Sequence, residues 1–226
     1  MSDRYRILIR ILGALAWIFL LAGCTVLYYA KETEFWVVDA ETGQPLEDVI
    51  VVAYWEIREG GWAGSIPIDQ LEIMETLSDQ NGRVYFPSYG PRIHLSGRME
   101  DESPGLLLFK PGYLPYAIEN EYGGVGQMLS IIRSSEWSGK QLKLTRVEDA
   151  IRYSHALRTF SGTVYSVIAF EGCAWKSMYR TIYTLLKEKK KLEEAGIETI
   201  VLSTARLSNC KTDNRSPEEL WKDLTK

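Results

Sequence analysis

Apolar residues fill every position from Val49 to Trp55. A run that is apolar at consecutive rather than alternate positions predicts a strand covered on both faces. A shorter run, Phe35 to Val38, precedes it across a polar segment with Asp39, Gly43, Pro45 and Asp48, so the pattern predicts two strands joined by a turn and paired with each other. Leu71 to Leu77 and Arg83 to Phe86 flank Asp79, Gln80, Asn81 and Gly82, whose Asn-Gly step supplies the positive φ of a β-hairpin. Leu106 to Phe109 and Leu114 to Ile118 bracket Pro111 and Gly112 as a further strand pair, the second at a sheet edge because Pro115 cannot donate to a ladder. Gln141 to Leu144 alternates polar and apolar, which predicts a last strand with one wet face. Two stretches read as long surface loops. Glu56 to Gln70 carries Gly60, Gly61, Gly64, Pro67 and the exposed candidate Trp62, while Ser88 to Pro104 carries Pro91, Gly97, three acidic residues and His94.

After Thr145 the period changes to helical. Thr145 to Glu148 has the spacing of a capping box, predicting a helix from there to about Thr159. Trp175, Met178, Tyr179, Ile182, Leu185, Leu186 and Leu192 recur at helical spacing, with Gly196 where a C-terminal cap belongs. A third helix is predicted from Ser216, with Pro217 at its first position. The run Lys187, Lys189, Lys190 and Lys191 is either a basic patch or, interleaved with Glu188, Glu193 and Glu194, a solvated helix face, and the interleaving favours the second.

The N-terminus carries Arg4, Arg6 and Arg10, an apolar run from Ile11 to Leu21, and then Leu21, Ala22, Gly23 and Cys24. A basic segment, a short apolar segment and small residues before a cleavage point make a secretory signal. The L-A-G-C end resembles the lipobox of bacterial lipoproteins, which implies removal of residues 1–23 and lipidation of Cys24. With Thr rather than Asp at position 25, the same resemblance implies an outer-membrane anchor with the body facing the periplasm. The alternative is an uncleaved inner-membrane helix, because the chain carries no charge from Ile11 to Ala30, about the ~20 residues needed to cross a bilayer. Both place the body outside the cytoplasm.

Three ordered motifs lie between residues 33 and 145. They are Asp39, Thr42, Gly43, Pro45, Leu46 and Val49; Thr76, Asp79, Asn81, Gly82 and Phe86; and Lys110, Pro111, Gly112 and Tyr113. Together they resemble the carboxypeptidase regulatory-like family, whose fold is a transthyretin-like (prealbumin-like) β-sandwich. The expected organisation is a signal peptide (1–23), an anchor linker (24–32), the sandwich (33–145) and a helical C-terminal extension (146–226), mainly β overall.

The balance of charge, formally -4, offers no broad basic surface, so nucleic acid is not an expected partner. With Cys24 lipidated, Cys173 and Cys210 remain as an even pair in an oxidising compartment and are expected to form a disulfide. In the chain-entropy model such a bridge stabilises by roughly 4 kcal/mol. The two histidines, His94 and His155, have no zinc-ligand spacing around them, and no catalytic, metal or cofactor residues are assigned. Hydroxyisourate hydrolases resemble this fold and end in Y-R-G-S, which this chain lacks. The expected function is a non-catalytic envelope lipoprotein, a binding module that meets the membrane through its lipid and an envelope protein through its body. The alternatives are an enzyme with a site built from Trp62, Asp69, His94 and Asp101, or an assembly subunit held by an N-terminal helix.

Overall fold

The computed structural model of the chain describes residues 26–61, 64–94, 97–99, 103–120, 132–169, 173–199, 201, 219 and 222. The protein is mainly β, with several sheets and two α-helices among the described residues. Its central strand is β3 (Ile50–Gly61), which pairs antiparallel with β4 (Gly64–Leu77) on one side and β8 (Gly105–Phe109) on the other. Strand β9 (Tyr116–Ile118) closes the far edge beyond β8, and β7 (Arg98–Met99) pairs with β3 at Ile57 and Arg58.

A second layer holds β1 (Val26–Ala30), β2 (Thr33–Asp39), β5 (Arg83–Phe86), β6 (Tyr89–His94), β10 (Ile132–Arg133) and β11 (Gln141–Leu144). They form two three-stranded sheets, β10-β1-β6 and β11-β2-β5. These are successive stretches of one ladder: β1 passes into β2 across Lys31 and Glu32, β5 passes into β6 across Pro87 and Ser88, and the register runs on from Thr33↔Phe86 to Ala30↔Tyr89. The third layer is helical and consists of α1 (Ala150–Ile168), a 3-10 turn (Ala174–Met178) and α2 (Tyr179–Glu194).

The three layers explain the unbroken apolar run. Because strand side chains alternate, Ile50, Val52 and Tyr54 turn to the helices with Leu107 and Phe109. Val51, Ala53, Trp55 and Ile57 turn to the second layer with Leu106 and Leu108, meeting Phe35, Val37, Val84, Phe86, Leu142 and Leu144. The helices answer with apolar stripes, Tyr153, Leu157, Phe160, Val164 and Val167 on α1 and Ile182, Leu185 and Leu192 on α2. Each large side chain so buried contributes about 1.5–3 kcal/mol of transfer free energy.

Several sequence expectations hold. Val51 and Tyr54 are buried, β8 and β9 pair with β9 at the edge, β11 alternates exposed and buried, and Gly196 adopts a left-handed φ of 77° just past α2. Others are corrected. Phe35 to Val38 does not pair with Val49 to Trp55: β2 lies in the second layer between β5 and β11, and the segment after Asp39 crosses from layer to layer. The expected hairpin across Asp79 to Gly82 is a second such crossing, since β4 pairs with β3 and β5 with β2. The turn chemistry itself is as expected, with Gly82 at φ 72° and the Asp79 carboxylate accepting from Asn81 N and Arg83 N.

Most of the stretch from Glu56 to Gln70 is not a loop but the outer half of the β3–β4 hairpin, paired out to Gly61↔Gly64. Its Pro67 is tolerated because β4 is an edge strand. The stretch from Ser88 to Pro104 contains β6 and β7. Helix α1 begins at Ala150, not at Thr145, and runs on to Ile168. Asp149 is its cap, accepting from Ile151 N and Arg152 N, because residues 145–147 are already committed to the turn at Gly112: Leu114 N donates to Thr145 O and Val147 N to Gly112 O. Cys24, Trp62, Asp101, Cys210 and most of the helix expected from Ser216 lie outside the described residues.

Candidate functional site

The strongest electrostatic perturbation in the second layer is at Asp39, where the first family-like motif begins. One carboxylate oxygen accepts from Glu41 N (2.9 Å) and Thr42 N (3.0 Å), and the other accepts from the Tyr113 hydroxyl (2.9 Å). These bonds, the backbone donors foremost, hold the Asp39 carboxyl down at about 2. Arg146 donates to the same Tyr113 hydroxyl (3.1 Å) and lies over its ring. The second motif joins here as well: Leu46 N donates to Val37 O, and a Cβ on Gly82 would stand 2.4 Å from that same carbonyl. Ser78 completes the junction, its hydroxyl donating to Leu46 O (2.6 Å) and accepting from Val49 N (2.8 Å). Perturbed carboxylates often mark active sites. Both oxygens of this one are spent on protein donors, and the cluster locks the inter-layer crossings together.

Of the four residues considered for a loop-built site, Asp69 and His94 meet, with His94 Nε2 3.0 Å from Asp69 Oδ2. They sit on β4 and β6, not on loops. Farther along the same two strands Arg92 pairs with Glu72 (Nε 2.9 Å, Nη2 2.5 Å), and the Tyr89 ring stands edge-on to Trp55 at 4.9 Å. The three contacts form a seam tying β6 to the β3–β4 hairpin, and the His94–Asp69 pair is its outermost member. Among the described residues no group of three or more His, Cys, Asp or Glu is placed to hold a metal ion.

The helical face presents a different kind of site, and Glu75 creates it. Its side chain, 2% exposed on β4, accepts from Arg180 N (3.0 Å), Thr181 N (2.8 Å) and Thr181 Oγ1 (2.8 Å), thereby capping the N-terminus of α2 from another element. Burial pushes its carboxyl up, against these hydrogen bonds. Held at that end, α2 stands off the start of β3 and leaves an open cleft of about 350 Å³. The floor is apolar (Ile50, Leu77, Pro111) and the α2 wall carries Arg180, Tyr183 and Lys187. A second depression of about 270 Å³ lies on the other side of Tyr183 and Lys187, with Lys190 and Lys222 on its rim.

The charges of this surface are unequally engaged. Glu188 is buried, accepts from the Tyr153 hydroxyl (3.2 Å) and pairs with Lys191. Burial and the Glu188 carboxylate push the Tyr153 phenol up. Lys189 and Lys190 reach Glu193 and Glu194 at 3.5 and 3.9 Å, the solvated-face pairs expected from the interleaving. Lys187 makes no ion pair or hydrogen bond among the described residues and lines both depressions. The arrangement fits a partner that lays an apolar group on Ile50 and Leu77 and an anionic group against Lys187. Sequence reading missed Glu75 and this cleft, because the cap comes from a residue more than a hundred positions away in the chain.

Cys173 stands at the N-terminal end of the 3-10 turn and is disulfide-bonded. No family model matches the chain, and no curated protein sequence matches it. Solved structures give distant likenesses. A streptococcal ancillary pilin is 13% identical with a TM-score of 0.25, covering 54% of this chain and 31% of the pilin. A 3-chlorocatechol 1,2-dioxygenase from Rhodococcus opacus 1CP is 14% identical with a TM-score of 0.29, covering 54% of this chain and 60% of its own. A 9R-lipoxygenase from Cyanothece PCC8801 is 15% identical with a TM-score of 0.22, covering 69% of this chain and 24% of its own. The chain thus spans less than two thirds of each of these structures, and likenesses at this level carry no argument about fold or activity.

Proposed function

We propose that this protein is a non-catalytic lipoprotein of a bacterial envelope, acylated at Cys24, whose transthyretin-like sandwich holds a helical binding face away from the membrane. The observation that carries the anchor is where β1 starts. Residues Val26 to Ala30 form a strand paired to β6 and β10, so they are not free to extend a membrane helix. The uncharged span left to such a helix is Ile11 to Thr25, fifteen residues. At 1.5 Å per residue it would reach about 22 Å, short of a hydrocarbon core of roughly 30 Å. Extending it backward takes in Arg10, at a cost that rises with depth. A lipidated cysteine needs no spanning length, and its acyl chains contribute about 0.8 kcal/mol per buried methylene.

Convergence of residues from all three motifs on one inter-layer junction supports the carboxypeptidase regulatory-like reading, since it gives Asp39, Leu46, Gly82 and Tyr113 a fold-specific task. Thr25 supports sorting to the outer membrane. Cys210 is the partner assigned to Cys173, and peptide maps with and without reductant test that pairing. The anchor is tested by Cys24→Ala: acyl labelling should be lost and unprocessed precursor should accumulate. A variant unchanged in mass and location would refute it. The α2 cleft is the assigned binding face, for an envelope protein with an acidic segment. A photo-crosslinker at Tyr183 should form adducts in native envelopes that Lys187→Glu abolishes, while one at Tyr165 should not. Equal adducts from both positions, indifferent to Lys187, would overturn the assignment.

A further inference from the structure

The start of β1 and the tip of the β3–β4 hairpin belong to the same end of the molecule. Strand β6 runs antiparallel to β1, with Val26 opposite His94. Along β6 the contacts with the hairpin step outward, from Tyr89 on Trp55, through Arg92 on Glu72, to His94 on Asp69. Asp69 lies opposite Ile57, and the paired strands continue past it to Gly61↔Gly64. At about 3.3 Å per residue the hairpin projects roughly 15 Å beyond the level of Val26.

Three large apolar side chains are exposed at this end. Leu27 and Ile93 form a cross-strand pair, exposed by 37% and 62%, on the face opposite the buried Tyr28. Ile66, near the hairpin tip, is 62% exposed. Only Thr25 separates Cys24 from β1. Two residue steps span at most about 7 Å, which is comparable with the roughly 5–7 Å headgroup layer of one leaflet. An anchor that short leaves this end no room to stand clear of the bilayer.

We propose that this end of the sandwich rests on the lipid surface, with Ile66 on the projecting hairpin reaching through the headgroup region and Leu27 and Ile93 lying at its outer boundary, a protein-borne contact beside the acyl chains. The proposal rests on the acylation of Cys24 and commits to lipid, not protein, as what covers these side chains. It is tested in full-length protein purified from membranes and reconstituted into phosphatidylethanolamine and phosphatidylglycerol vesicles. A single cysteine replaces Ile66, Ile93 or, as a control on the outer side of α1, Ile151, which is 63% exposed. Each carries an environment-sensitive fluorophore, and intact mass reports acylation of the same samples. In acylated protein, labels at positions 66 and 93 should shift to the blue and be quenched by brominated lipid, and the label at 151 should do neither. Acylated protein in which all three labels behave alike would overturn the membrane-resting face and leave the anchor standing. Absence of acyl mass would overturn the anchor and this proposal with it.

Discussion

Removing the Glu75 carboxylate should release α2 from the sheet, and the effect can be sized from its partners. The side chain satisfies two of the free N–H groups in the first turn of α2 and the hydroxyl of Thr181, which is fully buried. Losing a helix cap costs about 0.5–2 kcal/mol, and leaving a buried donor unsatisfied costs about 1–3 kcal/mol. Because the first-turn groups regain some water when the cleft opens, Glu75→Ala should destabilise by about 2–4 kcal/mol. For a chain of this length that is a fall in Tm of roughly 5–15 °C. Glu75→Gln keeps one acceptor oxygen and should cost about half as much. The two variants also separate by pH. Burial raises the Glu75 carboxyl above its ordinary 4.5, so the folded state holds that proton more tightly than the unfolded chain. Its contribution is therefore most favourable below pH 4.5 and declines as pH rises through the raised folded value. Glu75→Gln removes that decline. Thermal and urea unfolding followed by circular dichroism between pH 4 and 8 would measure both effects, ~4 being the lower bound that keeps acid unfolding apart. If both variants stayed within about 0.5 kcal/mol of the parent, α2 would not be held by this cap.

The acid limb should belong to Asp39 and have the opposite sign: its folded value is depressed from 3.8 to about 2, so its contribution is whole above pH 3.8 and lost as pH falls towards 2. Asp39→Asn should flatten that part of the stability profile, and an unchanged profile would remove Asp39 from the junction. Gly82→Ala should destabilise by at least about 1–3 kcal/mol from its left-handed backbone alone, and more because the new Cβ meets Val37 O; denaturant midpoints would show it. Val51→Asp places an unpaired charge between two layers at a fully buried position and should abolish cooperative unfolding. A native melting curve for that variant would remove β3 from the centre of the sheet.

Those positions also show how much of the fold is legible in the sequence. Val49 to Trp55 announced a strand covered on both faces, because the alternation that marks a half-wet strand was missing, and β11 announced itself by having it. The pairing was not legible. Asp39 to Asp48 and Ser78 to Gly82 carry turn chemistry, and a turn fixes the local path of the backbone without saying whether the next strand joins the same sheet. Here both segments change layers, and the bonds that decide it include Leu46 N to Val37 O, back to strand β2, and Ser78 Oγ to Leu46 O, between the two crossing segments 32 positions apart. The outer half of the β3–β4 hairpin was hidden for another reason. Its glycines and Pro67 weaken strand propensity, and its ladder depends on backbone bonds more than on an apolar pattern. At the start of α1, Thr145 has the spacing of a cap, but its own carbonyl accepts from Leu114 N and Val147 N donates to Gly112 O, contacts no local window contains.

The long hairpin also sets the distance between the two surfaces assigned here. Ile50↔Leu77 closes one end of the paired β3–β4 ladder and lines the α2 cleft, whereas Gly61↔Gly64 closes the other, beside the anchored end. Eleven residue steps along β3 separate them. At about 3.3 Å per step that is roughly 36 Å, more than three Debye lengths of ~8–10 Å at physiological salt. At that distance Lys187, in the wall of the cleft, is screened from the charge of the lipid surface. Lys187 is therefore free to select an acidic partner in solution without first competing with anionic headgroups. The same separation makes the two assignments independent: charge reversal at Lys187 should leave lipid contact at Ile93 intact, and a polar residue at Ile93 should leave the cleft's partner bound.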